Sequence, residues 1–384
     1  DLDIDAQGDL LATTPTIQVS GNGFIDIDVD GTATFQNATI NPVTSNNSTS
    51  FFTLDAGGNI ELGSSQIKVD AQSETTAFRL SSGADLLLGS SNTDIQHDFL
   101  SPAVQLLAVG NIDFGTADFL FNQDNTGTPV VTLQAGGTIR SQAADMTPTF
   151  ANMISLEGTT NITANGISLP DVNLVVTRGG GLTVNAGTGN LDIGESTIDS
   201  NDDIKIDGQG DLIATTPTIQ VAGSGFIDID VDGAATFQSA TINPVTSNNS
   251  TSYLSLDAGG DIDLGSSQIK VDAQSETTLF RLASGGDLSL GSTAINLEHD
   301  FSTPEIELVA LGDLNMGSSS LILNQNFGAG TLLTLQAEGT LNLDTTTVTV
   351  PNRIIVGSNT GVTANSSQLN APDIEVYGIS SGTP

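Results

Sequence analysis

The residues best suited to chemistry in this chain are its carboxylates. Two "FIDIDVD" runs place Asp26, Asp28 and Asp30, and again Asp228, Asp230 and Asp232, at every second position. On a β-strand that spacing turns all three side chains of a run toward one outward face. Clustered oxygens of this type can recruit Ca²⁺, which takes six to eight hard ligands. The competing expectation is an acidic, solvated face whose mutual repulsion is screened by salt.

Other candidates carry less. His97 precedes Asp98 and His299 precedes Asp300, and either pair could act as a base oriented by a carboxylate. Both sit at equivalent places in a duplicated segment, which suits a repeated turn decoration. Asn92–Thr93–Asp94 and Asn201–Asp202–Asp203 are acidic clusters of the kind glycoside hydrolysis uses, but that reaction needs two carboxylates held across the scissile bond. The counterpart of the first cluster reads Ala294, Ile295, Asn296, without its acid. A lyase would need clustered Lys and Arg to neutralise a uronate, and the chain has only 8 basic residues. No catalytic residue is assigned, no cofactor other than Ca²⁺ is expected, and the chain reads as a non-enzyme. The Asn-x-Ser/Thr sequons in "SNNSTS", at 45–50 and 247–252, read as polar loops that could be glycosylated or serve as contact points.

Eight basic against 45 acidic residues give a formal charge of −37. Nucleic acid and anionic membranes both need a positive footprint, so neither is an expected partner. No apolar run reaches membrane-spanning length, and no membrane insertion is expected. The absence of Cys removes disulfides, thiol catalysis and thiolate zinc sites. The sequence opens at Asp1 without an initiator Met or a signal-like segment, and reads as a mature product or an excerpt.

The positioning elements come from repetition. The stretch beginning at Gly8, "GDLLATTPTIQV", returns at Gly210 as "GDLIATTPTIQV", 202 residues later. The same shift relates Phe24 to Phe226, Lys68 to Lys270, His97 to His299 and Gly137 to Gly339; further on, Ala164 matches Ala364. Residues 1–202 are therefore one copy and 203–384 a second, expected to be continuous as one rod and to stop about twenty residues before its cycle closes. Within each copy a shorter period begins with Gly, a small polar residue, then Ile or Leu. Ile60, Leu86, Ile112 and Ile139 follow one another at nearly equal intervals of roughly 26 residues, and Ile262, Leu288, Leu314 and Leu341 repeat those intervals. The phase is lost around Thr160 to Gly189.

A unit of about 21–27 residues fits one coil of a parallel β-helix, with short strands separated by turns. The coil from Asn59 divides into "NIELG", "SQIKVDA" and "TAFRLSS", with corners at 63–65 and 72–75, Ile67 and Val69 inward and Lys68 outward. An immunoglobulin-like sandwich needs units of about 100 residues, and a propeller needs blades of about 40 to 50. The fold class expected is all-β, a right-handed β-solenoid, stabilised by stacking of neighbouring coils.

The phrases "LDAGGNIELGSS", "LLAVGNIDFG", "VTLQAGGTI" and "NITANG" resemble the repeats of filamentous haemagglutinin-like exoproteins and related large bacterial adhesins. The resemblance implies a secreted or cell-surface bacterial spacer that holds an adhesive or toxic tip away from the cell. Its implied partners are continuation of the same solenoid end to end and a host or matrix glycan or protein receptor. The alternatives are a self-assembling extracellular fibre or sheath subunit, and a polysaccharide-binding or polysaccharide-degrading β-helix.

Overall fold

The structure is a computed structural model. It describes the chain outside residues 20–22, 41–50, 72–75, 98–102, 124–129, 142–151, 158, 164–166, 170–171, 178–180, 222–224, 243–252, 274–279, 300–304, 326–329, 331 and 379–384. The chain divides into two compact units, Asp1–Ile198 and Asp199–Pro384. Every regular element among the described residues is a β-strand, and the strands stack as parallel sheets in a β-solenoid.

In the first unit each coil contributes one strand to each of three sheets. The first sheet runs from Leu2–Ala6 to Leu182–Asn185, the second from Leu10–Thr13 to Leu191–Asp192, and the third begins at Thr16–Ile17. The second unit repeats the plan, its first sheet running from Ile204–Gly208 to Asp373–Gly378 and its second from Leu212–Ala214 to Gly361–Thr363. Parallel pairing in register places like residues over like. Ile60 lies under Leu86, Leu86 under Ile112 and Ile112 under Ile139, and all four are buried. In the first sheet Ile27, Leu54, Leu80, Leu106, Leu133, Ile162 and Val184 form one inner column. Alternation does the sorting: Ile67 and Val69 are buried while Lys68 between them is exposed, as period two demands of a strand with one wet face.

Two repeating devices turn the corners. Before the second sheet, Asx side chains cap the next coil: Asp85 N donates to Asn59 Oδ1 at 3.1 Å and Asn111 N to Asp85 Oδ1 at 2.7 Å. The second unit does the same with Asp261, Asp287 and Asp313, each link 2.8 Å. The small polar residue after each Gly is therefore a backbone cap, which satisfies N–H groups that a turn would otherwise leave to water. After the second sheet the chain needs a left-handed residue, supplied by glycines such as Gly89 at φ +67°. A Cβ there would lie 2.5 Å from the Gly63 carbonyl oxygen one coil below.

Two expectations change. Coil length varies beyond the expected range: the step from Val131 to its partner Thr160 exceeds it, and the step from Ile354 to Ile374 falls short of it. The columns keep their register across both steps, since lengthening a connection costs little entropy. The second unit also reaches an eighth strand of its first sheet, Asp373–Gly378, as the first unit does at Leu182–Asn185. It arrives sooner because the step from Leu333 to Ile354 is already a short one. The late match of the two copies is consequently not structural. Thr163 belongs to a first-sheet strand, Thr159–Thr163, whereas Thr363 closes a second-sheet strand, Gly361–Thr363; Ala164 itself lies outside the described residues.

Candidate functional site

The predicted acidic residues lie on the outer face of the first sheet in each unit. Asp26 and Asp28 project outward from the strand Ile25–Val29, whose Ile25, Ile27 and Val29 are buried. Asp30 falls just beyond the strand, in the turn, where its N–H donates to the Ala6 carbonyl at 2.9 Å. The second unit repeats this with Asp228 and Asp230 on the strand Ile227–Val231 and Asp232 N donating to the Gly208 carbonyl at 2.8 Å.

Stacking adds carboxylates that a single run does not reveal. Asp5, Asp28 and Asp55 are successive members of one row, with Asp3 and Asp26 beside them. In the second unit the row is Asp207, Asp230 and Asp257, and Lys205 takes the place corresponding to Asp3. Rows of like charge one strand apart, about 4.8 Å, repel. Burial pushes the Asp228 and Asp230 carboxyls above the ordinary range, and Asp257 adds to both. Asp55 is also raised by burial, but the Arg79 guanidinium opposes that shift; Arg79 Nε lies 3.1 Å from Asp55 Oδ1. In the second unit Arg281 bridges coils, Nε to Asp257 Oδ1 at 2.9 Å and Nη1 to Glu307 Oε2 at 2.6 Å. Thr53 donates its hydroxyl to Asp26.

An aromatic pair borders each acidic face. Phe24 stacks on Phe51 with centroids 4.8 Å apart, and Phe226 on Tyr253 at 4.6 Å. Lys205 Nζ sits 5.2 Å from the Phe226 centroid, a favourable cation–π geometry. The Tyr253 hydroxyl is held above its ordinary pKa by burial, then by Asp228 and Asp203. The rings stack along the coil axis, so each face meets the neighbouring coil.

Each coil contributes one carboxylate to a row. Among the described residues no group of three or more His, Asp or Glu is arranged to hold a metal ion.

The remaining candidates scatter. His97 and His299 close the strands Asn92–His97 and Ala294–His299, while Asp98 and Asp300 lie outside the described residues, as do both "SNNSTS" segments. Within Asn92–Thr93–Asp94 the middle residue is buried in the core, 1 % exposed, in the inner column between Ile67 and Phe119. Asn201, Asp202 and Asp203 form the turn into Ile204–Gly208, with Phe226 N donating to Asp203 Oδ1 at 3.3 Å. No helix among the described residues is long and apolar enough to cross a membrane.

No protein-family model matches this chain, and neither a curated protein nor a solved structure does.

Proposed function

We propose that this chain is a non-catalytic structural spacer of a secreted or cell-surface, adhesin-like protein. The observation that carries the reading is the in-register stacking of buried columns within each unit, exemplified by Ile60, Leu86, Ile112 and Ile139. A scaffold of this kind adds a fixed rise, about 4.8 Å, with every coil. Its stability comes from nearest-neighbour contacts, so it extends by repetition with no new core to design. Such a scaffold sets a distance. The acidic outer rows fit the role by keeping an extended surface hydrated and by discouraging sideways association. On this reading Asp26, Asp28, Asp30, Asp228, Asp230 and Asp232 carry a diffuse cation atmosphere instead of a bound Ca²⁺.

The experiment places one, two or three tandem copies of the long sequence period between a cell-surface anchor and a terminal epitope. Epitope height above the membrane is then measured by super-resolution microscopy. Equal increments of height per copy are expected. An unchanged height would sink the spacer reading, and concentration-dependent filaments of the purified chain in negative stain would favour the fibre-subunit alternative.

A further inference from the structure

Beside their aromatic pairs the two units differ in charge. In the second unit Lys205, Phe226 and Tyr253 come from three successive coils, and the Lys205 ammonium lies over the Phe226 ring, 5.2 Å from its centroid. Phe226 in turn stacks on Tyr253, 8° from parallel. In the first unit Phe24 and Phe51 make the same stack, 3° from parallel, yet the residue corresponding to Lys205 is Asp3. One unit therefore supplies its own ammonium to the stack, and the other has a carboxylate at that place.

The first unit surrounds its stack with anionic groups. Asp3 and Asp5 are exposed on Leu2–Ala6, and Asp26 and Asp28 pair with them from Ile25–Val29. The Phe24 and Phe51 rings beside them are half-buried. Arg79, two coils beyond Phe24, is held at Asp55, with Nε 3.1 Å from Oδ1. In the second unit burial pushes the Asp203 and Asp228 carboxyls up, and the Lys205 charge opposes that push on both. An ammonium at this place thus favours the ionised carboxylates around it.

A ring face attracts an ammonium through its quadrupole. Carboxylates add Coulomb attraction, but exposed charges alone are screened by salt and do not choose among cations. The ring does choose. An alkylammonium can lay its stem along the apolar ring while its head stays among the carboxylates, as long cationic side chains do on apolar surfaces, and a hydrated metal ion has no such stem.

We propose that this face of the first unit binds a linear aliphatic polyamine, with one terminal ammonium over the Phe24 ring as the Lys205 ammonium lies over Phe226. Strand positions one coil apart, such as Asp3 and Asp26, are separated by about 4.8 Å, and alternate positions on one strand, such as Asp26 and Asp28, by about 6.6 Å. These intervals are close to the nitrogen spacings across three-carbon and four-carbon links, which spermidine combines in one molecule. The second unit's Lys205 fills the same place from within, so the site belongs to the first unit alone. A formal charge of −37 draws a polycation toward the chain, and the aromatic stack fixes where it stops. This inference does not depend on the spacer reading, and either could fail alone.

The test uses the full chain, ¹⁵N-labelled, titrated with spermidine at about 0.15 M ionic strength, where the screening length is about 8 Å. Saturable shifts are expected at the amides of Phe24 and Asp26, with those of Phe226 and Asp228 unmoved. Asp3→Lys, which installs the residue type the second unit already carries at that place, should weaken binding roughly ten-fold or more. Glu195→Lys, the same change of charge at an exposed turn of the first unit, should weaken it about two-fold at most. Lys205→Asp should in turn produce saturable shifts at Phe226 and Asp228. Shifts that never saturate, equal shifts in both units, or Asp3→Lys doing no more than Glu195→Lys would mean a diffuse cation atmosphere only and overturn the proposal. Saturation by a trilysine peptide but not by spermidine would overturn it too, assigning the face to a lysine-bearing partner.

Discussion

Where the first unit stacks Phe52 on Phe78 at 5.4 Å, with Phe119 edge-on to Phe78 at 5.9 Å, the second has Leu254, Phe280 and Leu321, all buried. Phe114 is likewise replaced by Met316, also fully buried. The pairing register is nevertheless the same, Phe52 with Phe78 and Leu254 with Phe280. The comparison separates two kinds of constraint. Backbone pairing and corner geometry fix where each side chain stands, and the interior accepts any apolar set that fills the column. Outside, the constraint relaxes further, so Asp3 can become Lys205 and Asp113 can become Asn315.

The largest expected effect breaks the aromatic core. Phe78→Ala should cost about 3–5 kcal/mol, the range for removing a buried Phe. Phe52→Leu with Phe119→Leu, which gives the first unit the second unit's residues, should cost less than Phe78→Ala alone. Because repeat proteins need not unfold in one step, the measurement is hydrogen exchange resolved by unit. A double variant as damaging as Phe78→Ala would show that the two cores are not interchangeable.

Corners should not tell the units apart. Gly89→Ala places a Cβ at φ +67°, 2.5 Å from the Gly63 carbonyl oxygen. The left-handed conformation alone costs about 1–2 kcal/mol, and the clash adds to it. Gly291→Ala, at φ +57°, should lose a similar amount in the second unit. Thermal melting of both variants checks this, and a markedly milder loss in one unit would mean that its corner can relax.

Acid response should distinguish them again. In the second unit Asp199, Asp203, Asp228 and Asp230 are raised above the ordinary value of 3.8, burial being the largest cause for each. In the first unit Asp55 is raised by burial against the pull of Arg79. A carboxyl raised by folding binds its proton more tightly in the folded state. Stability therefore grows as pH falls through the raised value toward 3.8, and is lost again as pH rises. Glu375, lowered by Tyr377 and then by Arg353, acts in the opposite sense. Protection of amides near Asp228 should rise on acidification from neutral pH, more than protection near Asp55, and Asp228→Asn should flatten that rise. Equal responses in the two units would remove the electrostatic distinction.

The core columns are legible in the sequence because Ile60, Leu86, Ile112 and Ile139 keep nearly constant intervals and stack directly. Alternation likewise sorts Ile67 and Val69 from Lys68. Phase is lost between Thr160 and Gly189 because a long step, Val131 to Thr160, is followed by a short one, Thr160 to Leu182. The short string that relates Thr163 to Thr363 is misleading, since strands of different sheets share the same alternating pattern. Of the acidic face, Asp26 and Asp28 can be read from one run. Asp5, Asp55 and Arg79 cannot, because they arrive from neighbouring coils. The ion pair of Asp113 with Arg140 stays hidden for the same reason, each strand supplying one of its members.

The smallest effect concerns the caps before the second sheet. In the first unit Asp85 stands between Asn59 and Asn111, and Asn111 Nδ2 donates to Asp85 Oδ1 at 3.0 Å. In the second, Asp261, Asp287 and Asp313 form an unbroken row of carboxylates, linked through the next backbone N–H at each step. An Asn side-chain oxygen can accept that N–H as well as a carboxylate can, so Asp287→Asn keeps the cap and removes one charge from a repelling row. A gain of about 0.2–1 kcal/mol is expected at low ionic strength, the scale of cross-strand charge pairs. It should fade in 1 M salt, where the screening length falls to about 3 Å. Asp85→Asn removes a charge that has amide neighbours on both sides, and should give no gain at any salt concentration. The caps act through hydrogen bonding to the next backbone N–H in both units, so a gain for Asp287→Asn that persists in 1 M salt would assign the difference to something other than charge.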